Sequence, residues 1–335
     1  MFSKYLLTGA TGFLGNTIAW MLHNKDLHCV ALVMKDDPFV SKLPPSTKLV
    51  YGDILNVNSL DVFIGCKTSD SCLIHCAGLI SIASKSNPMI NEINVKGTTN
   101  LLSLALINRV KKTIYVSTIH AIPDSKHKII TEINHFDEKK VKGEYAKSKA
   151  IASKIALQFS KEGLDISVVH PSGIIGPGDW RIGQITNTII SYCQGRLSIG
   201  TRGGNNFVDV RDVAQGILDC ADFGKIGQCY LLTGHKSTIK NILDQVRKIT
   251  NGKKILYLPL WFVKIIAPFY EKAKLKKKEE PYLTPYSAYA LGTNANYSNN
   301  KARTNFNFCP RPLAETIKDT VFWLKETSLI SIDED

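Results

Sequence analysis

Three tyrosine–lysine pairs at four-residue spacing, Tyr145/Lys149, Tyr270/Lys274 and Tyr297/Lys301, are the residues of this chain whose types could move a proton. That spacing puts phenol and ammonium on one helix face. The cation then favours the phenolate and lowers the phenol's pKa toward the range useful for general acid–base catalysis. Spacing alone does not choose among the three. A second stretch with chemical content is Thr8-Gly9-Ala10-Thr11-Gly12-Phe13-Leu14-Gly15. Its glycines fall where the apolar run Tyr5, Leu6, Leu7 gives way to Phe13, Leu14, Ile18, Ala19 and Leu22 at helical spacing. Gly9 permits a tight turn, Gly12 lets a phosphate approach the backbone, and Gly15 lets the helix lie close to the sheet. The helix N-terminus offers unpaired N–H groups and partial positive charge. A dinucleotide pyrophosphate is the ligand such a junction suits.

The elements that must position these residues alternate along the chain. Apolar runs predict strands at 28–33, 49–51, 71–76, 112–117 and 165–170, with helices at 94–107 and 144–159. This alternation predicts an α/β protein with a Rossmann-type doubly wound parallel sheet. Beyond Pro171 the rhythm loosens into helices at 185–194, 213–221, 239–250 and 313–324, mixed with short strands and Pro-rich joints. The predicted partition is a dinucleotide-binding core at 1–170, a smaller mixed substrate lobe at 171–329 with some segments returning to the core, and a flexible tail at 330–335. Of the three pairs, only Tyr145/Lys149 falls on the helix between the fifth and sixth strands, where carboxyl ends of central strands open onto a cofactor crevice. The other two read as surface coincidences.

Composition bounds the class. The 335 residues are 44% hydrophobic and 21% charged, which is ordinary for a globular enzyme. Eight cysteines are scattered without a Cys-x-x-Cys pair and read as free thiols of a reducing compartment. Neither they nor the histidines and carboxylates show metal-ligand spacing, so no metal is expected. A charged leader and a long apolar window are both missing from the sequence, and the expected location is cytoplasmic. The net charge of +13 lies mostly along solvated helix faces, and nucleic acid is not an expected partner. One local cluster, Lys272, Lys274, Lys276, Lys277 and Lys278, follows the aromatic run from Trp261 to Tyr270. Such a segment could lie on an anionic membrane as a peripheral contact, although a solvated helix end is the commoner outcome.

Several motifs in order carry a family resemblance: Thr8 to Gly15, Gly52-Asp53-Ile54, Cys76-Ala77-Gly78, Asn94-Val95-Lys96-Gly97-Thr98, Val116-Ser117-Thr118, Tyr145-Ala146-Lys147-Ser148-Lys149, and His170-Pro171-Ser172-Gly173. The chain resembles an extended short-chain dehydrogenase/reductase of the NAD-dependent epimerase/dehydratase family. It is most similar to the branch of dihydroflavonol 4-reductase-like and 3β-hydroxysteroid dehydrogenase-like proteins. Phe207 to Ala214, Lys301-Ala302-Arg303 and Pro310-Arg311-Pro312-Leu313 match its later landmarks, so the resemblance covers nearly the whole chain.

The resemblance implies that Thr118 hydrogen-bonds the substrate oxygen, with Ser117 as the fallback. It also implies that Lys149 binds the nicotinamide ribose and Asn94 helps hold the site. Cofactor contacts are implied for Gly9, Thr11, Gly12, Phe13, Leu14, Gly15, Asp53, Ile54, Cys76, Ala77, Gly78, Tyr145, Lys149, His170, Pro171, Ser172 and Gly173, with Asp53 accepting from the adenine. After Val33 come Met34, Lys35, Asp36 and Asp37, where the branch often has Arg in place of Met34. Lys35 favours NADP(H), while Asp36 keeps NAD(H) open.

The expected reaction is hydride transfer between the nicotinamide and a secondary alcohol or ketone, with Tyr145 as general acid or base. The apolar segments 258–269 and 283–289 suit a steroid- or flavonoid-like small molecule. Ordinary packing of the second lobe explains them equally well. Candidate substrate-lining residues are Ser81, Ile119, His120, Asp179 and Trp180. Sugar-nucleotide dehydratases carry an Asp-Glu pair after the catalytic Thr, where this chain has Ile119 and His120, which disfavours dehydration. A nucleotide-sugar epimerase is the alternative enzyme, and a non-catalytic dinucleotide-sensing regulator is the alternative of another class. Relatives often form homodimers through the two helices corresponding to 94–107 and 144–159.

Overall fold

The computed structural model describes residues 2–65, 68–81, 87–125, 128–277, 281 and 283–331. Short Val/Ile/Leu-rich runs, buried on both faces except at the edge strand Lys48–Tyr51, build the central sheet. Its first six strands are β1 (Lys4–Thr8), β2 (Cys29–Val33), β3 (Lys48–Tyr51), β4 (Ser71–His75), β5 (Lys112–Val116) and β6 (Ile166–Pro171). The second lobe supplies β7 (Gly173–Ile175), β8 (Ile199–Thr201) and β9 (Gly204–Asp209), and the chain then returns with β10 (Cys229–Leu232), which pairs with β6. The sheet order is β10-β6-β5-β4-β1-β2-β3, with every pair parallel. The doubly wound sheet expected from the alternation is present, and its order reverses between β1 and β4. At such a reversal the connections leave in opposite directions and a crevice opens beyond the carboxyl ends.

Helices cover both faces. The connections are α1 (Phe13–Asn24), α2 (Val57–Ile64), the single turn α3 (Met89–Asn91), α4 (Thr98–Ile107), α5 (Glu144–Lys161), α6 (Gln184–Cys193) and α7 (Val210–Phe223). Leu14, Ile18, Val213 and Ile217 pack one sheet face. Leu60, Leu101, Ala150 and Leu157 pack the other. The expected single helix over 94–107 is in two parts: residues Glu92–Gly97 are π-helical and run directly into α4. A wider turn adds a residue without breaking the apolar pattern on either side.

In the second lobe, β11 (His235–Thr238) pairs antiparallel with β9, and β9 runs parallel to β7. Strand β12 (Leu256–Leu258) pairs with β8. The remaining helices are α8 (Ile239–Thr250), α9 (Leu260–Lys276), α10 (Pro285–Ala290), α11 (Asn300–Phe306) and α12 (Leu313–Glu326). Buried Ile189, Phe207, Ile242, Val246, Ile317 and Val321 form the lobe's own core. Ile330, expected in the flexible tail, is buried in that core, with its backbone N–H bonded to the Leu324 carbonyl at 3.3 Å. An apolar side chain one turn beyond a helix end gains more from that core than from water. Residues 332–335 of the expected tail lie outside the described residues.

The landmarks at 207–214 and 310–313 meet as an ion-pair cluster. Asp209 caps α7, accepting from the Arg211 N–H at 2.8 Å and from its guanidinium at 2.7 Å. Arg311 donates to Asp212 at 2.8 Å from the loop before α12. This cluster fastens α7 of the core to α12 of the lobe.

The glycine turn leaves no space for side chains. A Cβ on Gly15 would lie 2.1 Å from the Gly9 carbonyl oxygen, and Gly9 itself sits at φ +70° with its would-be Cβ 2.7 Å from the Ala77 nitrogen. Backbone from β1, α1 and the loop after β4 therefore meets with no room for side chains. Gly15→Ala is expected to cost about 1–3 kcal/mol by overpacking. The melting temperature should fall by several degrees, and a thermal melt matching the parent would contradict the contact.

Candidate active site

The crevice floor is the turn between β1 and α1. Gly12 precedes α1 and offers no capping side chain, and the first turn carries no acid. The helix N-terminus is thus left open to an anion. Cys76, Ala77 and Gly78 leave β4 alongside this turn. Gly52 continues β3 by bonding the Val33 carbonyl, and Asp53 follows it at the surface, its carboxylate accepting from the Leu55 N–H at 2.9 Å. Ile54 is buried against Gly97.

Lys149 comes in from α5 and is 4% exposed. A Cβ on Gly78 would lie 3.3 Å from its ammonium and 3.2 Å from the Asn94 side-chain oxygen, so lysine, asparagine and glycine loop converge. The ammonium donates to the Val116 carbonyl at 2.8 Å and to the Tyr115 hydroxyl at 3.3 Å. Burial lowers its pKa to about 8. Tyr145, one turn earlier on α5, is half-buried, and the Thr118 hydroxyl is its hydrogen-bond partner. Burial, and secondarily the neighbouring Tyr286 phenol, raise the Tyr145 pKa, while the Thr118 bond lowers it. The lowering by Lys149 expected from spacing gives way to burial, and the ammonium's donors go to Val116 and Tyr115. Of the other two pairs, Lys274 sits 5.9 Å from the Tyr270 ring, while Lys301 binds Gln228 and its partner Tyr297, outside α11, lines the cavity beside His120.

Asn94 does not touch the phenol. The π turn aims its amide at the loop after β4, where Oδ1 accepts from the Leu79 N–H at 2.7 Å. Its Nδ2 donates to the Leu79 carbonyl at 2.9 Å and to Ser148 at 3.0 Å. Asn94 is a positioning residue that ties α5 to the glycine loop. Behind it runs a buried chain of hydroxyls and one imidazole. Thr98 donates to the Asn94 carbonyl at 2.7 Å, so its hydroxyl must accept from His75 Nε2 at 2.9 Å. His75 Nδ1 then accepts from Thr8 at 2.7 Å, and Thr8 accepts from the Ala77 N–H at 3.3 Å. Hydrogen counting along this chain assigns the neutral Nε2–H tautomer. Burial, with Lys149 nearby, lowers the His75 pKa to about 3.

At the end of β6, His170 Nδ1 donates to the Thr118 carbonyl at 3.0 Å, and Phe136 stacks on its ring. Its Nε2 and the Ser172 hydroxyl are buried without a partner, while Pro171 is buried beside them. Gly173 lies against Phe207 and the Asn206 carbonyl. The uncapped helix, the close glycine turn and these two orphaned polar atoms all fit a dinucleotide laid along the crevice. Gly9, Thr11, Gly12, Phe13, Leu14 and Gly15 would hold its pyrophosphate, and Lys149 its nicotinamide ribose.

Other expected residues divide. Ile119 is buried and His120 half-buried, lining a cavity with Ile122, Tyr286 and Tyr289. Ser81 is half-buried at the edge of the described segment. Asp179 is committed to α6 instead of the cleft, accepting from the Gly183 N–H and the Thr186 hydroxyl, both at 2.7 Å. An acid next to an unpaired helix start is drawn to those donors. Trp180 packs edge-on against Trp323 with the Lys42 ammonium over its ring. Lys35 is exposed in the turn after β2. It is Asp37, a helical-turn cap, that swings back to accept from the Thr11 hydroxyl at 2.6 Å.

Two residues of this site were missed in the sequence. Arg181 donates to the Thr11 carbonyl at 3.0 Å and pairs with Asp37 at 2.5 Å, with its guanidinium over Phe39. Tyr286 lies over Gly143, where a Cβ would be 2.3 Å from its ring, and 6.4 Å from the His120 ring. The signal for Tyr286 was the apolar segment 283–289, while Arg181 gave none beside Asp179 and Trp180. Among the described residues no group of His, Cys, Asp or Glu could hold a metal ion, and no helix is long and apolar enough to cross a membrane.

A doubly wound parallel sheet with an uncapped glycine turn, and a buried ammonium against the loop after β4, is the framework of a dinucleotide-dependent enzyme of the short-chain dehydrogenase/reductase class. The chain belongs to the NAD-dependent epimerase/dehydratase family, whose model matches residues 5–231. Sterol demethylase protein B of Methylococcus capsulatus is 26% identical over 331 residues, covering 97% of this chain and 99% of that protein. The 4-hydroxy-2-methyl-3-oxo-4-farnesyl-3,4-dihydroquinoline-1-oxide ketoreductase of Stigmatella aurantiaca is 25% identical, covering 92% of each. The crystal structure of gox2253 superposes with a TM-score of 0.84 at 26% identity, covering 98% of this chain and all (100%) of that one.

Burial holds three imidazoles neutral: His75 at about 3, and His120 and His170 at about 4. Each folded pKa lies below the unfolded value near 6.5. As pH falls from 6.5 toward 4 the unfolded chain therefore takes up protons that the folded chain refuses, and stability is lost over that window. Denaturant midpoints should fall between pH 7 and pH 5. A constant midpoint there would contradict the neutral assignment.

Proposed function

We propose that this enzyme transfers hydride between a nicotinamide dinucleotide and a secondary alcohol or ketone of an apolar small molecule, with Tyr145 as its general acid or base. The observation that carries this reading is the pairing of Tyr145 with Thr118 one helical turn from Lys149, whose ammonium reaches the loop after β4 beside an uncapped helix N-terminus. A bound nicotinamide supplies or accepts the hydride. In reduction the protonated Tyr145 phenol gives its proton to the developing alkoxide, and Thr118 donates a second hydrogen bond to the same oxygen. The Lys149 ammonium, one helical turn away, stabilises the phenolate left behind. Its charge is lost as pH rises through about 8, and the rate of reduction should fall with it. General acid assistance of this kind is worth roughly 10² to 10⁴ in rate. Tyr145→Phe should lose about that much turnover while binding cofactor with little change by fluorescence titration. Retained turnover would assign the acid elsewhere.

The cavity beside the neutral His120 has a mixed wall, with Ile119, Ile122 and Val141 facing Asp124, Lys140, Lys142, Thr293 and the phenols of Tyr286, Tyr289 and Tyr297, and does not by itself select an apolar substrate. The apolar reading is supported by the names of the two curated relatives, a sterol demethylase protein and a ketoreductase of a farnesylated ring. A panel of sterol, terpenoid and flavonoid ketones against nucleotide sugars tests this. Turnover confined to nucleotide sugars without net cofactor oxidation would replace the reading with epimerisation.

The cofactor we propose is NADP(H). Arg181, at the open end of the glycine turn, and exposed Lys35 supply two cations for a 2′-phosphate, and Asp37 holds the guanidinium in place. Arg181→Gln should raise KM for NADPH about tenfold, the scale of one lost charge-assisted contact, and change KM for NADH much less. Equal effects on both would point to NAD(H).

A further inference from the structure

Helix α9 has one face the fold uses and one it does not. Its inner face, Val263 and Ala267, packs with Ala288 of α10. On the opposite side Trp261, Ile265 and Phe269 recur every four residues and are 65%, 55% and 73% exposed. Further along, the same outward direction carries Lys272 and Lys276, with Lys277 following, all exposed. One helix face thus passes from aromatic to cationic along its length. At its start, β12 and β8 set Leu256 beside Ile199, 63% and 52% exposed. Contiguous exposed apolar side chains at this density mark an interaction surface.

The charge pattern selects the occupant. A second copy of this chain would set lysine against lysine if the helices ran parallel, or lysine against the aromatic stripe if antiparallel. The first sets like charges together, and the second offers each ammonium an aromatic face but no anion. An anionic lipid surface accepts both halves: aromatic side chains enter the headgroup–acyl boundary while ammonium groups stay at the level of the phosphates. The chain's net charge of +13 adds attraction at longer range.

We propose that the outward face of α9 docks this protein on an anionic bilayer leaflet, with Trp261, Ile265 and Phe269 inserted and Lys272, Lys276 and Lys277 on the lipid headgroups. Helix α10, on the other side of α9, carries Tyr286 and Tyr289 of the active-site cavity, so docking sets that cavity one helix layer from the lipid. The docking stands on the surface alone and does not require the proposed reaction.

The test is flotation of the full chain with phosphatidylcholine vesicles with and without phosphatidylserine, at low and high salt. Binding is expected only with phosphatidylserine and should weaken as salt screens the lysines. The exposed substitutions Trp261→Ser and Phe269→Ser together, and separately Lys272→Glu with Lys276→Glu, should each reduce binding at least ~10-fold. Far-UV circular dichroism checks that each variant is folded, and the lysine pair serves if the aromatic pair is not. Absence of flotation with either lipid, or flotation unchanged in both variants, overturns the proposal. A dimer in solution that the aromatic pair converts to monomer assigns the face to a second copy instead.

Discussion

A lysine ammonium taken out of water must be given oxygen atoms in place of those it leaves, and the candidate site of this protein is arranged around that requirement at Lys149. The Val116 carbonyl at the end of β5 meets it at 2.8 Å and the Tyr115 hydroxyl at 3.3 Å. Both acceptors belong to a central strand, so the ammonium is referenced to the sheet and not to a loop. Gly78 passes within a Cβ's reach of it, which brings the glycine turn to the same point. The arrangement still leaves the charge costly, as the lowered pKa of about 8 records. A cation held this way responds strongly to any negative charge that develops beside it, and the Tyr145 phenol is the group one turn away.

What could be read in the sequence was what local spacing determines. Three glycines at a strand–helix junction, and a phenol four residues before a lysine inside one helix, have a geometry set locally, whereas the same spacing at Tyr297 and Lys301 falls outside α11 and puts nothing on one face. The π turn at Glu92–Gly97 was invisible because an inserted residue leaves helical periodicity intact on both sides, yet it is what points the Asn94 amide at Leu79. Lys35 drew attention as the cation nearest the end of β2. The Asp-Pro step at 37–38 opens a short helical turn that carries the next acid back to Thr11 instead. Arg181 reaches the glycine turn across 170 positions, a pairing no window of sequence contains. Asp179 shows the converse error, since its place in a motif suggested the cleft while unpaired amides at the start of α6 claimed it.

The second lobe meets the core at several places, three of which differ in their chemistry. Arg181 bonds the backbone of the glycine turn, Arg311 and Arg211 gather on Asp209 and Asp212, and the Tyr286 ring lies on Gly143. The first is half-exposed and polar, the second is a partly buried charge cluster, and the third is van der Waals contact. Salt screens the first most and the last not at all. The lobe can therefore loosen at its cofactor edge while the aromatic contact beside Tyr145 persists.

His75 has both ring nitrogens committed, one accepting from Thr8 and the other donating to Thr98, and a pKa near 3. A neutral ring so placed fixes the direction of every hydrogen bond in its chain, since the single proton on Nε2 makes Thr98 an acceptor and the bare Nδ1 makes Thr8 a donor. The interior beneath Lys149 is then a polar brace joining β1, β4 and the start of α4, whose orientation is set by one imidazole.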